Sequence, residues 1–284
     1  MEKCVVKKIF RTIVATMFAV GLTGGITLSD TFIPHFAMTR AEAGIFDGLF
    51  GGSSDQAVED LKNSASESIH DQINKALEIN VDGLNDRKND MRLHMSRAAE
   101  YLMIAAFQTE EGTVDNPYGV YANLAIALGN NPGDMEYVYQ SAATPLRTKE
   151  VEEGCKNLMQ TQDKQKVEEG KQHLEYASNA RITSMVYQGL AARDASLILG
   201  ESLKGLKNIK KINNVQDAEG EIDNVKGQLE ELSALAKDVE LLCKDISEKN
   251  KNLGDATKKA RKHFNIKEPS KKDIEKQVKT MEAR

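Results

Sequence analysis

The side chains of residues 222–253 that could face a helical partner recur at alternating steps of three and four residues. The seam consists of Ile222, Val225, Leu229, Leu232, Ala236, Val239, Cys243, Ile246, Asn250 and Leu253. Such spacing is typical of a coiled-coil seam, in which one narrow stripe faces a partner helix. A second seam at the same spacing runs from Ile182 to Leu206, and Asn213-Asn214 reads as a turn. The sequence therefore predicts a long antiparallel helical hairpin over 148–262, hinged near 212–216.

The predicted hairpin separates the two cysteines that follow the N-terminal 43 residues. Reflection about residue 214 places Cys243 opposite Met185, whereas Cys155 lies about 30 residues further along that arm, or roughly 45 Å at the helical rise. Bonded cysteines have Cα atoms within about 7 Å, so an intramolecular disulfide is not expected. We expect Cys243 to be a small buried hydrophobe, and Cys155 to stay free or to cross-link two chains.

Two further sections precede this hairpin. Helical periodicity over 55–109 predicts another helical hairpin, interrupted at Asp82-Gly83. Residues 110–147 hold prolines and turn clusters, which predicts a small loop-rich subdomain with short helices at about 118–128 and 134–143. A break is also expected around 161–163. The fold class is all-α, an elongated helical bundle with a coiled-coil-like hairpin and a loop-rich helical subdomain.

The first 43 residues have the pattern of an export signal. Basic residues precede an apolar stretch from Thr12 to Leu28, and a small-x-small pattern predicts cleavage between Ala43 and Gly44. The alternative is an uncleaved signal anchor. Residues 44–54, GIFDGLFGGSS, are expected to be a flexible apolar terminus or a segment that docks on a membrane or partner. The protein is thus predicted to be periplasmic or secreted.

Charge is segregated along the chain. Residues 44–255 have a net charge of −13, whereas 256–284 contain ten Lys or Arg and four Asp or Glu. The basic tail, 263–284, and the end of the helix before it are expected to contact anionic lipid, a polyanion or an acidic protein surface. That surface could belong to a second copy of this chain. The alternative is a solvated tail. Nucleic acid is not expected, because the tail has a single aromatic residue. The candidate anion-binding residues are Lys258, Lys259, Arg261, Lys262, Lys271 and Lys272.

The sequence has no motif of a catalytic centre, a P-loop or a dinucleotide turn, and its histidines lack metal-ligand spacing. We therefore predict no enzyme activity, no cofactor and no metal site. The candidate partner-binding residues are the tyrosines of the loop-rich section, since aromatic rings bind at low entropic cost. They are Tyr118, Tyr121, Tyr137 and Tyr139. The alternative is that these rings form the core of the subdomain.

The leading hypothesis is an exported, non-enzymatic scaffold or adapter that binds another cell-envelope or extracellular protein. In plan and size the chain is similar to minor-pilus adapters of type IV secretion systems, a likeness of signal peptide, long helices and loop-rich appendage that implies a secretion- or pilus-associated role. Self-association through the 222–253 seam and peripheral membrane contact are further expectations. The alternatives are an α-helical membrane-active or pore-forming protein and a coiled-coil periplasmic holdase chaperone.

Overall fold

The computed structural model describes residues 71–210 and 219–282, and the structural statements below concern these residues. They form an all-α helical bundle, as predicted, and contain no strand. The predicted export signal, the cleavage position Ala43/Gly44 and residues 44–54 lie outside the described ranges. A helical segment at 71–77 is followed by α1 (Val81–Thr113), α2 (Val120–Asn130), α3 (Met135–Ala143), α4 (Thr148–Gln160), α5 (Lys164–Ile209), α6 (Glu219–His263) and α7 (Lys271–Glu282).

Helices α5 and α6 pack antiparallel, as predicted, and the predicted hinge near 212–216 lies outside the described residues. Gln188 Nε2 donates to the Cys243 carbonyl oxygen at 2.9 Å, while Gly205 lies against Leu229 further along both helices. Cys243 therefore stands beside residue 188, three residues from the expected position 185. The predicted break at 161–163 is also confirmed, since α4 ends at Gln160 and α5 begins at Lys164.

Helix α1 completes the core, antiparallel to α5. A polar chain crosses all three long helices: Asn250 Nδ2 donates to Ser184 Oγ at 2.9 Å, and Ser184 Oγ donates to the Ala98 carbonyl oxygen at 2.7 Å. A buried polar residue at a seam position favours one register over its neighbours, because a shifted register would leave the amide unpaired.

The α6 seam is confirmed. On α5, Ile182 is buried as predicted, but between 191 and 206 the buried positions differ from the predicted seam by one residue. Every α6 position from Val225 to Leu253 in the predicted seam is buried. In that part of α5, Leu203 is 50% exposed, and the residue just before each predicted position is buried. Small side chains let the helices approach closely there: a Cβ at Gly205 would lie 2.8 Å from Leu229 Cδ1. The buried α5 positions in this stretch are Ala191, Ala195, Ile198, Ser202 and Gly205.

Both cysteines in the described ranges are free and buried, as the hairpin geometry predicts. Burial raises the pKa of the Cys155 thiol to about 11 and that of Cys243 to about 12. Cys155 packs in a second, smaller apolar cluster that also contains Leu158 and Leu174. Its burial means that this thiol is not presented for a cross-link between chains.

Two glycines in matching sequence contexts seat helices against the end of α1. Val-Glu-Glu-Gly occurs at 151–154 and again at 167–170. A Cβ at Gly154 would lie 2.7 Å from the carbonyl carbon of Thr113, and one at Gly170 would lie 3.0 Å from the carbonyl oxygen of Gly112. The absence of a side chain at both positions therefore lets α4 and α5 meet the last turn of α1.

The break before α1 falls earlier than Asp82-Gly83. Asn80 caps the helix, its side chain accepting from the Gly83 amide at 3.0 Å. The preceding segment ends with Glu78 in the left-handed region, at φ 54°. There the Ile79 amide donates to the Asn74 carbonyl oxygen at 3.2 Å, the six-to-one bond of a Schellman turn.

Candidate partner-binding surface

The loop-rich section is fixed to the bundle through the buried carboxylate of Glu110, near the end of α1. Its Oε2 accepts from the Tyr118 amide at 3.1 Å and lies 3.7 Å from the Arg147 guanidinium. Burial raises the pKa of Glu110, an effect opposed by the Tyr118 amide and by Arg147. These contacts hold the chain around 118 and the end of the section at 147 against the same carboxylate on α1.

Two of the four candidate tyrosines belong to the core. Tyr121 is completely buried, and its hydroxyl donates to the Pro145 carbonyl oxygen. Tyr137 is partly buried and packs against the main apolar cluster. For these two rings the geometry agrees with the core alternative.

Tyr118 and Tyr139 are exposed, at 57% and 41%. The Tyr118 ring stands edge-on to that of Tyr121, with the centroids 6.4 Å apart. The Tyr139 hydroxyl donates to Asp238 Oδ2 on α6 at 3.3 Å. Burial and the Asp238 carboxylate raise the pKa of Tyr139, so the phenol stays protonated and able to donate. Both rings are therefore held by contacts with their neighbours while leaving a face open.

Leu241 extends this surface along α6. It is 57% exposed and lies three residues after Asp238, so the two side chains are neighbours on one helix face. Further along, Lys249 Nζ donates to the Thr144 carbonyl oxygen, which shows that the end of α3 lies beside α6. We call the exposed residues Tyr118, Tyr139 and Leu241 together the tyrosine face. Leu241 lies outside the α6 seam, and a large apolar side chain off the seam is the sequence signal that could have identified it.

The candidate basic residues divide into two groups. Lys258, Lys259, Lys262 and Lys272 are exposed, and the side chain of Lys271 lies outside the described residues. Arg261 is not part of an open basic surface, because its guanidinium is largely buried and lies 2.6 Å from Glu268 Oε2. The same oxygen binds Arg181 of α5. We call Arg181, Glu268 and Arg261 the arginine clamp.

The chain after α6 is attached to the bundle. Phe264 and Ile266 pack against the second apolar cluster, next to the arginine clamp. Helix α7 then lies along α5, where a Cβ at Gly189 would stand 2.9 Å from Val278 Cγ2. The segment predicted as a basic tail therefore contains a docked helix rather than a wholly solvated end.

A further polar cluster ties α1 to α5. Asp194 is buried, and its two oxygens accept from Arg87 and pair with His94 Nδ1, each at 2.9 Å. Nearby, the Tyr187 ring stacks on Tyr101 with the centroids 6.0 Å apart. Because both carboxylate oxygens of Asp194 are engaged, this cluster acts as a cross-link between the two helices.

Within the described residues no group of three or more His, Cys, Asp or Glu side chains is arranged to hold a metal ion. Over the same ranges, none of the helices combines the length and apolar character needed to cross a membrane. Comparison with protein-family models, curated proteins and solved structures gave no match.

Proposed function

We propose that the protein is an exported, non-enzymatic helical adapter that binds a cell-envelope or extracellular protein through the tyrosine face. The observation that carries the proposal is the exposure of Tyr118 and Tyr139, on a section anchored to the bundle, and of Leu241 on α6 beside Asp238. Exposed aromatic side chains held in place by their neighbours are typical of protein-binding sites, where tyrosine is enriched.

The anchoring of these side chains supports binding. A ring that is already oriented loses little conformational freedom when a partner covers it, so more of the contact energy appears as affinity. Tyr139 is oriented by Asp238, and Tyr118 by its own amide on Glu110 and by the Tyr121 ring. Tyrosine also offers a hydroxyl for hydrogen bonding at the edge of an apolar contact.

The 222–253 seam does not contribute to this proposal. Its side chains face α1 and α5 of the same chain, as the burial of Leu229, Val239 and Ile246 shows. Self-association through that seam would need the bundle to open.

Site-specific photo-crosslinking in the native organism tests the proposal. A photoreactive residue at Tyr139 is expected to give one dominant protein adduct by mass spectrometry. The matched control is Leu203 on α5, which is exposed to a similar degree but lies outside the tyrosine face. The control position is expected to give no such adduct.

A second substitution separates a specific partner from incidental contact. Leu241→Asp, made in the protein that carries the crosslinker at Tyr139, is expected to abolish the adduct, whereas Leu203→Asp is not. Both positions are exposed, so helix content by circular dichroism should be unchanged. Many unrelated exported proteins would instead favour a holdase chaperone, lipid adducts would favour a membrane-active protein, and no adduct at all would refute binding at this face.

A further inference from the structure

Four exposed lysines cluster where α6 ends. Lys258, Lys259 and Lys262 lie on the solvent side of its last two turns, and Lys267 follows in the connection to α7. None of them forms an ion pair with another described residue. We call these four residues the lysine cluster.

The arginine clamp holds the lysine cluster in place. Asn265 adopts the left-handed conformation at φ 57°, and the Ile266 amide donates to the Arg261 carbonyl oxygen at 2.8 Å, which turns the chain sharply after α6. Glu268 then pairs with Arg181 and Arg261. Lys267 therefore stays beside the last turns of α6 instead of moving away on a free tail.

We propose that the lysine cluster binds the surface of an anionic phospholipid bilayer. Lysine is depleted and arginine enriched at protein interfaces, and here the nearby arginines are used inside the fold while the exposed cations are all lysines. Lysines are attracted to an anionic leaflet whatever the exact position of each headgroup, whereas an ion pair with a carboxylate of a folded protein needs a fixed geometry. Charge complementarity thus favours lipid headgroups over a folded acidic partner.

Binding at this site is electrostatic and peripheral. Val278 of α7 packs on Gly189 of α5, so this apolar side chain faces the bundle and is not available to insert between lipid tails. The attraction is expected to contribute about fivefold in partition for each lysine near the surface. Raising the ionic strength from 0.1 to 1 M shortens the Debye length from about 10 to 3 Å and should remove most of it.

Vesicle co-sedimentation of the full chain tests the proposal. The quantity measured is the ratio of partition onto vesicles of phosphatidylglycerol and phosphatidylcholine to partition onto phosphatidylcholine alone. Any apolar contribution from the N-terminal residues is common to both vesicles and cancels. The quadruple variant Lys258→Gln, Lys259→Gln, Lys262→Gln, Lys267→Gln is expected to lower this ratio by up to about 600-fold.

The matched control removes the same charge from exposed lysines elsewhere. These are Lys149, Lys156, Lys207 and Lys237. Replacing them with Gln should change the ratio by no more than a few-fold. A wild-type ratio near one, or an equal fall in both quadruple variants, would overturn the proposal. The proposal would also be overturned if the chain bound an acidic protein through the lysine cluster but showed no preference for anionic over neutral vesicles.

Discussion

Substitution of Gly154 by alanine tests the seating of α4 that fixes the loop-rich section. A Cβ at this position would lie 2.7 Å from the Thr113 carbonyl carbon and closer still to its oxygen, an approach that side chains essentially never make. The obstacle is backbone at the end of α1, so no side-chain rotation relieves it. Helix α4 and the end of α1 must therefore separate.

Two opposing effects determine how much Gly154→Ala changes the free energy of unfolding. Alanine is favoured over glycine inside a helix by about 1 kcal/mol. Overpacking costs about 1–3 kcal/mol, and the upper value applies because the obstructing atoms are backbone. The net expectation for Gly154→Ala is a loss of about 2 kcal/mol in the free energy of unfolding. Gly200→Ala is the matched control: nothing lies within 4 Å of its Cβ position on α5, so only the helix preference of about 1 kcal/mol remains, and this variant gains stability.

Urea unfolding followed by circular dichroism at 222 nm measures both variants. The urea midpoint should fall for Gly154→Ala and rise for Gly200→Ala, with an unchanged dependence on urea concentration. In thermal unfolding, a loss of about 2 kcal/mol in a chain of this size corresponds to a fall of about 4–8 °C. A Gly154→Ala protein as stable as the wild type would refute the close seating of α4 on α1.

Three further predictions concern pH, thiol reactivity and a helix end. Burial raises the pKa of Glu110, so its contribution to stability is full below about pH 4.5 and is lost as the pH rises through the folded-state value. Glu110→Gln should therefore flatten the decline in unfolding free energy measured by urea titration between pH 4.5 and 7, and an unchanged decline would contradict this. Alkylation at pH 8, read by peptide mass spectrometry, should label Cys155 and Cys243 only after denaturation, since both are buried with raised pKa values; labelling of the native protein would count against their burial. Glu78→Gly should raise stability by about 1 kcal/mol, because glycine tolerates φ 54°, and no rise in melting temperature would argue against that turn.

The sequence pattern predicted the buried face of a helix correctly where that face is mostly apolar. On α6, every position that the 3–4 spacing predicts to be buried, from Val225 to Leu253, is buried. On α5, the apolar pattern pointed to Leu203, whereas the core uses Ser202 and Gly205 one to two residues away. Serine and glycine are not hydrophobic, so a hydropathy pattern does not identify them as core positions. They are buried because their small size lets two helices approach closely.

The sequence pointed to the section that holds Tyr118 and Tyr139, but it identified neither Leu241 nor which of the four tyrosines are exposed. Tyr118 and Tyr121 are three residues apart and chemically identical, yet one is exposed and the other completely buried. The difference arises from the Pro145 carbonyl oxygen, which Tyr121 reaches across 24 residues of chain. Contacts between distant segments leave no local periodicity, so the sequence alone could not separate exposed rings from core rings.

Contacts between distant residues also decide which basic residues are buried. The exposed ones lie on the same helix as part of the tyrosine face. Arg261 is largely buried because its guanidinium pairs with Glu268. On the same helix the side chains of Lys258, Lys259 and Lys262 are exposed to solvent. Leu241 of the tyrosine face belongs to that helix as well, and 17 residues of unbroken α-helix up to Lys258 correspond to about 26 Å. One rigid helix thus spaces the tyrosine face from the lysine cluster. A partner bound at Leu241 would be held at a set distance from the anionic surface bound by the lysines, which is the physical task of an adapter.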